Sequence, residues 1–147
     1  MKNMLKKYRK AKGFTLVELL IVIVIIGILA GMMMLTTGSA TDKAEATKII
    51  ANLRGLKAAA LMCYADENAW PTDIASLDKY VDQSIGETSD YEVGDEGEHL
   101  YVAYGGDKLT AGVKDKLATM AEEVGLKAGA ASADFTKDSD SVGMMVK

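Results

Sequence analysis

Apolar residues dominate one long stretch near the start of the chain. Between Leu16 and Leu35 the only ionisable side chain is Glu18. A run of about 20 apolar residues is what a bilayer-spanning helix needs. Because the apolar positions of residues 14–35 lie all round the helix, the pattern predicts a helix in lipid. A purely soluble cytoplasmic domain is therefore not expected.

The pattern changes in the second half of the same predicted helix, which continues to residue 65. Apolar residues there recur at spacings of three and four, which places them on one helical face. These residues are Ala46, Ile49, Leu53, Leu56, Ala60 and Cys63. This amphipathic half is therefore predicted to pack against the rest of the chain.

Residues 66–147 predict a globular part that begins near the only proline, Pro71. Gly125 is a plausible helix stop, and Asp107 or Thr110 a plausible helix start. The predicted elements are a helical turn at 74–81, a surface loop at 87–98, a strand at 100–104, a helix at 109–124, and short strands at 133–136 and 142–146. Together they favour an α+β fold, in which the long helix packs on a small antiparallel sheet.

Charge is distributed unevenly along the chain. Residues 1–13 contain six Lys and Arg residues and no acid, whereas the remainder has 11 basic and 21 acidic residues. The positive-inside rule places such a basic leader in the cytoplasm and the region after the apolar run outside. Direct nucleic-acid binding is not expected, because affinity for phosphates comes from Lys and Arg.

The junction between the leader and the apolar run carries the most specific motif. Positions 12–18 read KGFTLVE, and the apolar run follows directly. This junction resembles the class III signal peptide, or prepilin-like N-terminus, of type IV pilins and type II secretion pseudopilins. The resemblance is close over residues 8 to about 35. Residues 64–71 are also similar to the segment with which many such proteins leave the helix.

The resemblance implies a processing pathway that ends in a filament. A prepilin peptidase would cut between Gly13 and Phe14, remove the leader 1–13 and methylate the new amine of Phe14. The bacterial inner membrane would hold this single-pass precursor until an assembly platform moved it into a helical homopolymer or a mixed filament. Residues 14–35 would serve first as the membrane anchor and then as the filament core.

Two kinds of filament fit this resemblance. A type IV pilus, or fimbrium, is a surface fibre used in cell adhesion and motility, and it is the main interpretation. A short periplasmic pseudopilus of a type II secretion system is the alternative. The sequence does not separate them.

An ordinary secretory signal is the competing interpretation of the N-terminus. Such a signal is cut after its apolar core, and Gly38-Ser39-Ala40 offers small residues there. Against it, the apolar run is longer than the usual core of about 7–15 residues, and Glu18 lies inside the run. A signal-anchored periplasmic binding protein or enzyme would need a pocket with paired titratable groups, and the sequence gives no sign of one.

Glu18 is the residue of the apolar run whose insertion into a membrane costs free energy. A carboxylate in the membrane costs about 2.5–3.5 kcal/mol on insertion scales. It lies near the start of the helix and could stay hydrated there. The resemblance implies instead that it pairs with the Phe14 amine of a neighbouring subunit, because α-amino groups titrate near pH 8 and are cationic at pH 7.

Two further features of the apolar run concern helix packing. Gly27 and Gly31 form a pair of small residues four apart, which lets helices approach closely in lipid. Alternatively, glycine is simply common in membrane helices. Leu35 stands where many pilins carry a proline linked to a melted stretch of helix in filaments, so such melting is not implied here.

Candidate catalytic and metal-binding residues are few. His99 and Cys63 are the only histidine and cysteine, and no triad, zinc or phosphate-loop motif is present. No enzymatic activity, disulfide or cofactor is therefore expected, and Cys63 is predicted to be a buried hydrophobe. Asp134, Asp138 and Asp140 are weak calcium candidates, since some pseudopilins hold calcium in a late loop. They lack the full ligand spacing of a known calcium loop, which favours a solvated surface.

Overall fold

One long helix runs through the first half of the chain. The computed structural model describes residues 13–81, 85, 90–129 and 133–147, so the predicted leader, apart from Gly13, lies outside the described residues. Helix α1 begins at Leu16 and ends at Glu67, within two residues of the predicted bounds. By its internal contacts the chain divides into two units, Met1–Thr37 and Gly38–Lys147.

The end of α1 is fixed by a left-handed residue and aromatic stacking. Asn68 has φ 53°, and its amide donates a hydrogen bond to the Tyr64 carbonyl at 2.9 Å. Asn is one of the few non-glycine residues that adopt this conformation readily. The Tyr64 ring stacks on Trp70, with 4.2 Å between the ring centroids. Pro71 then follows, where a helix cannot continue.

The amphipathic half of α1 buries the face that its spacing predicted. Leu53 and Leu56 are completely inaccessible to solvent. The other predicted positions, Ala46, Ile49, Ala60 and Cys63, are at most 2% exposed. They form one core with Val102, Leu117, Val142 and Met144 from the rest of the second unit. This burial confirms the predicted face.

Four strands in the described part of the chain form one antiparallel sheet. They are β1 (Tyr91–Glu96), β2 (His99–Tyr104), β3 (Lys127–Ala128) and β4 (Val142–Met145). Their spatial order is β1-β2-β4-β3. In the register, Val102 lies opposite Val93 on one side and Met144 on the other, so apolar side chains meet across three strands. The predicted α+β fold is confirmed.

Strand β1 corrects the prediction that residues 87–98 form a surface loop. Tyr91 and Val93 are buried, whereas Glu92 between them is exposed, and this alternation is the period-two pattern of an edge strand. Gly97, at φ 73°, lies in the tight loop to β2. A glycine with positive φ suits such hairpin turns. The acidic residues obscured the strand because acids are uncommon in strands.

The second helix matches its prediction closely. Helix α2 spans Ala111–Val124, and its N-cap is Thr110 rather than Asp107. The Thr110 hydroxyl accepts a hydrogen bond from the Val113 amide at 3.4 Å. Gly125 ends the helix in the left-handed conformation, at φ 73°, which a residue with a Cβ adopts only at a cost.

The remaining short elements match less fully. A 3-10 turn at Ile74–Leu77 lies inside the predicted segment 74–81, and β4 lies inside 142–146. The strand predicted at 133–136 is reduced to an isolated bridge between Lys127 and Asp134. Strand β3 was not predicted, since its two residues are too few to show a period.

Truncating the buried face of α1 tests the core. Leu53→Ala should lower the free energy of unfolding by about 2–5 kcal/mol, the range for a buried leucine. Leu61→Ala is the matched control, because Leu61 lies on the same helix and is 46% exposed. Urea unfolding of the full chain in detergent, followed by the fluorescence of the only tryptophan, Trp70, measures both. Equal stability of Leu53→Ala and Leu61→Ala would show that the face is misassigned.

Candidate processing and assembly site

Helix α1 begins with a reciprocal pair of hydrogen bonds between Thr15 and Glu18. The Thr15 amide and hydroxyl each donate to Glu18 Oε2, both at 2.8 Å. The Glu18 amide in turn donates to Thr15 Oγ1 at 3.2 Å. This is a capping box, in which Thr at the N-cap and Glu three residues later satisfy each other's unpaired helix-end amides. The Thr-x-x-Glu spacing of Thr15 and Glu18 is the sequence signal from which this box could have been predicted.

The capping box leaves part of the Glu18 carboxylate unused. Both Thr15 bonds end on Oε2, and Oε1 has no hydrogen-bond partner among the described residues. An ionised carboxylate can accept about four hydrogen bonds. Glu18 can therefore cap its own helix and still accept a bond from another molecule.

The predicted cleavage site lies immediately before this box. Gly13 and Phe14 precede the helix, and Phe14 is 88% exposed. A Cβ placed on Gly13 would meet no atom within 4 Å. The peptide bond between them is thus open to approach from solvent or from an enzyme. Cleavage and N-methylation at this bond stay predictions.

The first unit of the chain presents a continuous apolar surface. All large hydrophobic side chains from Phe14 to Met34 are between 49% and 88% exposed. Among the described residues, α1 is the one helix long and apolar enough to cross a membrane. Its most apolar 18-residue window has a mean hydropathy of 2.9, and none of that window is buried. Such a surface requires lipid or protein to cover it.

The two glycines of the apolar run make no close contacts. A Cβ placed on Gly27 or Gly31 would meet nothing within 4 Å, so their role in packing between chains stays a prediction. The backbone at Leu35 is helical. Just after it, the hydroxyls of Thr36 and Thr37 donate to the Met33 carbonyl at 3.1 and 2.7 Å. Without the proline, the helix is continuous here.

The other candidate residues lie in the second unit and do not come together. His99 is exposed. Burial raises the pKa of the Cys63 thiol, with the carboxylates of Glu67 and Asp66 adding to the shift, so the thiolate that reacts is disfavoured. These two residues form no catalytic pair.

The three calcium candidates form no shared site among the described residues. Asp134 Oδ1 accepts a hydrogen bond from Lys127 Nζ at 2.7 Å, while Asp138 and Asp140 are exposed. No group of three His, Cys, Asp or Glu side chains in the described part of the chain is placed to hold a metal. Calcium binding stays a prediction on sequence grounds alone.

A small polar cavity lies between α1 and the hairpin of β1 and β2. Its volume is about 150 Å³, and Asn52, Tyr91 and Tyr104 are among its lining residues. Asn52 Nδ2 donates to the Tyr91 hydroxyl at 2.7 Å, and burial raises the pKa of both tyrosines. Ligand pockets usually measure about 300–1,000 Å³. The hydrogen bond between Asn52 and Tyr91 therefore joins α1 to the sheet, and the cavity is smaller than a usual ligand pocket.

Comparison with known proteins assigns the N-terminal part of the chain. Residues 8–34 match the prokaryotic N-terminal methylation motif. The type II secretion system core protein G of Aeromonas hydrophila is 36% identical over 75 residues, 51% of this chain and 52% of that protein. The type IV major pilin protein PilE of Neisseria gonorrhoeae is 40% identical over 65 residues, 44% and 39% of the two chains. No solved structure matches.

These matches confirm the resemblance to type IV pilins and type II secretion pseudopilins. The matched region contains Gly13, Phe14 and Glu18. The chain spans about half the length of the curated relatives it matches. The N-terminal part is thus similar to that of pilins and pseudopilins, and the activity of the whole protein is a matter for proposal.

Bulk at the cleavage site tests the processing prediction. Gly13→Val should block cleavage, because a branched side chain crowds the scissile bond. Ala40→Leu should leave cleavage intact, although it would block an ordinary signal peptidase, which needs a small residue at its site. Intact mass of the protein recovered from cells should give a wild-type N-terminus at methylated Phe14. A mature start at Thr41 would contradict the prediction.

Proposed function

We propose that this chain is the structural subunit of a type IV pilus-like filament. It enters the inner membrane as a single-pass precursor, with its basic leader in the cytoplasm. Prepilin peptidase cuts between Gly13 and Phe14 and methylates the Phe14 amine. The subunit then joins other copies through the first half of α1. The observation that carries this proposal is the continuous exposed apolar surface between Phe14 and Met34.

The exposed surface explains why assembly follows membrane insertion. Burying a large apolar side chain is worth about 1.5–3 kcal/mol, so many such residues hold the precursor in lipid until other apolar helices replace the lipid. Lipid and the apolar helices of neighbouring copies both remove this surface from water. Transfer from one to the other, at the assembly platform, is therefore feasible without refolding the second unit. The proposed role is structural and requires no catalysis.

Glu18 supplies what the apolar surface lacks, a preferred stagger between subunits. Apolar residues lie all round this half of α1, so hydrophobic burial alone favours no axial position. A carboxylate in a low-dielectric bundle does, because removing one partner of a buried ion pair costs on the order of 3–5 kcal/mol. In this proposal, Oε2 keeps its bonds to Thr15 and Oε1 accepts a bond from the methylated Phe14 amine of a neighbouring copy.

A pseudopilin of a type II secretion system is the second candidate. The observation that favours it is the similarity to the core protein G of several bacteria, including Escherichia coli at 34% identity over 73 residues. The match covers 50% of this chain, and pilins of Neisseria match to a similar extent, so the distinction depends on the length and location of the filament. Electron microscopy of cells expressing the chain separates long surface fibres from short periplasmic ones.

Removing the charge of Glu18 while keeping the cap tests its role in assembly. Glu18→Gln preserves the capping box, since Gln serves at that position as well as Glu. It is neutral, however, so it cannot form an ion pair with an ammonium group. It should be inserted and cleaved normally and yet lower the filament yield at least as strongly as Glu18→Val. Glu18→Asp should assemble weakly, because its shorter side chain must reach further.

Thr15→Ala is the complementary control. It removes the side-chain half of the capping box and keeps the charge of Glu18, so it should assemble better than Glu18→Gln. Cleavage is checked by intact mass, and filaments are counted by electron microscopy. Normal filaments from Glu18→Gln would mean that Glu18 acts only as a helix cap or as a residue read by the processing machinery.

A further inference from the structure

The excess of acidic over basic residues in the second unit comes almost entirely from one segment. Residues 81–107 contain eight Asp and Glu residues and no Lys or Arg. The rest of that unit, residues 38–80 and 108–147, contains 12 acidic and 11 basic residues. The hairpin of β1 and β2 lies within this segment and forms one edge of the sheet. The acidic hairpin, defined here as residues 90–99, is therefore a negatively charged surface on a unit whose remainder is almost neutral.

The carboxylates of Asp90, Glu92, Asp95 and Glu98 form no ion pair among the described residues. Asp90, Glu92, Asp95 and Glu98 are exposed. The ion pairs among the described residues are Lys79–Glu67 and Lys127–Asp134, and neither contains a hairpin acid. Like charges at this spacing repel one another, so the hairpin gains from a cationic partner.

A surface of opposite charge exists on α1. Residues 46–65 contain Lys48, Arg54 and Lys57 and no acid. Arg54 is exposed and Lys57 is half-buried, and neither takes part in the ion pairs of the described residues. We call residues 46–65 the basic helix segment. Arg54 offers a planar fork of donors that suits carboxylates.

We propose that the acidic hairpin of one copy docks on the basic helix segment of a neighbouring copy in the filament, with Arg54 as the main cation. This proposal rests on the proposed function and adds a contact outside the apolar helix. Charge complementarity is the argument for a second copy as the partner. Because the two surfaces are different parts of one subunit, the contact is heterologous, and a heterologous contact that does not close generates an open helical assembly.

The same acids could instead serve only to keep a sheet edge from pairing with other strands. Charged residues, lysine above all, are a common means of protecting edge strands. This alternative makes a different prediction for charge reversal. Lysine at positions 92 and 95 would protect the edge as well as the native acids do, whereas it would repel a neighbouring Arg54.

Charge reversal with rescue tests the proposal in the full chain. Glu92→Lys with Asp95→Lys should lower the filament yield by about tenfold, a loss of about 1.4 kcal/mol per contact. Arg54→Glu should lower it similarly, and the three substitutions combined should restore most of the yield. Glu122→Lys with Glu123→Lys, and Lys137→Glu, change the charge equally at exposed sites elsewhere and should have little effect.

A direct contact map complements the yields. Zero-length carbodiimide coupling of wild-type filaments should join Lys57 to the peptide containing the hairpin acids, and mixing heavy- and light-isotope subunits should show the link to be between copies. Raising the salt from about 0.1 M to 1 M shortens the Debye length from about 10 to 3 Å and should lower this coupling.

The outcomes separate this proposal from the proposed function. Wild-type protein that forms no filaments would contradict the proposed function itself. Wild-type filaments together with normal filaments from both reversed variants would overturn only the docking of the hairpin. Reversed variants that fail singly and are not rescued in combination would overturn it as well.

Discussion

An apolar helix surface that is exposed among the described residues is the constraint on which the rest of the structure depends. Between Phe14 and Met34 no large hydrophobic side chain is less than 49% exposed. Removing apolar surface from water is worth about 25 cal/mol per Å², so this surface is unfavourable in water. In the proposed function, lipid covers this surface in the precursor and copies of the same helix cover it in a filament. The second unit buries its apolar side chains within itself, in a core in which Leu53, Leu56 and Val102 are fully buried.

The polar groups that could orient one subunit against another lie at the start of α1 and on the surface of the second unit. At the start of α1, Thr15 and Glu18 satisfy the helix-end amides and leave Glu18 Oε1 available. In the second unit, the acidic hairpin and the basic helix segment carry charges that take no part in the ion pairs of the described residues. Hydrophobic burial is non-directional, so it can supply the strength of assembly, and these few charged groups are suited to supply its geometry.

Much of the fold followed from the sequence, for identifiable reasons. The face of α1 containing Leu53 and Leu56 and the span of α2 were predictable because both show helical spacing, and Gly125 marks a helix end. Strand β1 was missed because its acidic residues, Glu92 and Asp95 among them, concealed the alternation of buried Tyr91 and Val93 with exposed Glu92. Strand β3 is too short to carry a pattern, and its pairing with β4 depends on contacts between distant residues.

The candidate site was predictable in its residues and not in its geometry. The motif at 12–18 identified Gly13, Phe14 and Glu18, since a charged residue inside an apolar run is conspicuous. The capping box was equally visible as Thr15-x-x-Glu18, and it changes the interpretation of Glu18 from a single role to a shared one. The charge imbalance of residues 81–107 was countable from the sequence, but its meaning required the hairpin.

Helical reconstruction by cryo-electron microscopy of filaments formed by the wild-type chain tests the central claim most directly. The account predicts residues 14–34 of α1 in the centre of the fibre, with the carboxylate of Glu18 within salt-bridge distance of the Phe14 amine of a neighbouring copy. A fibre with these helices at its periphery, or with Glu18 bonded only to its own Thr15, would contradict the account.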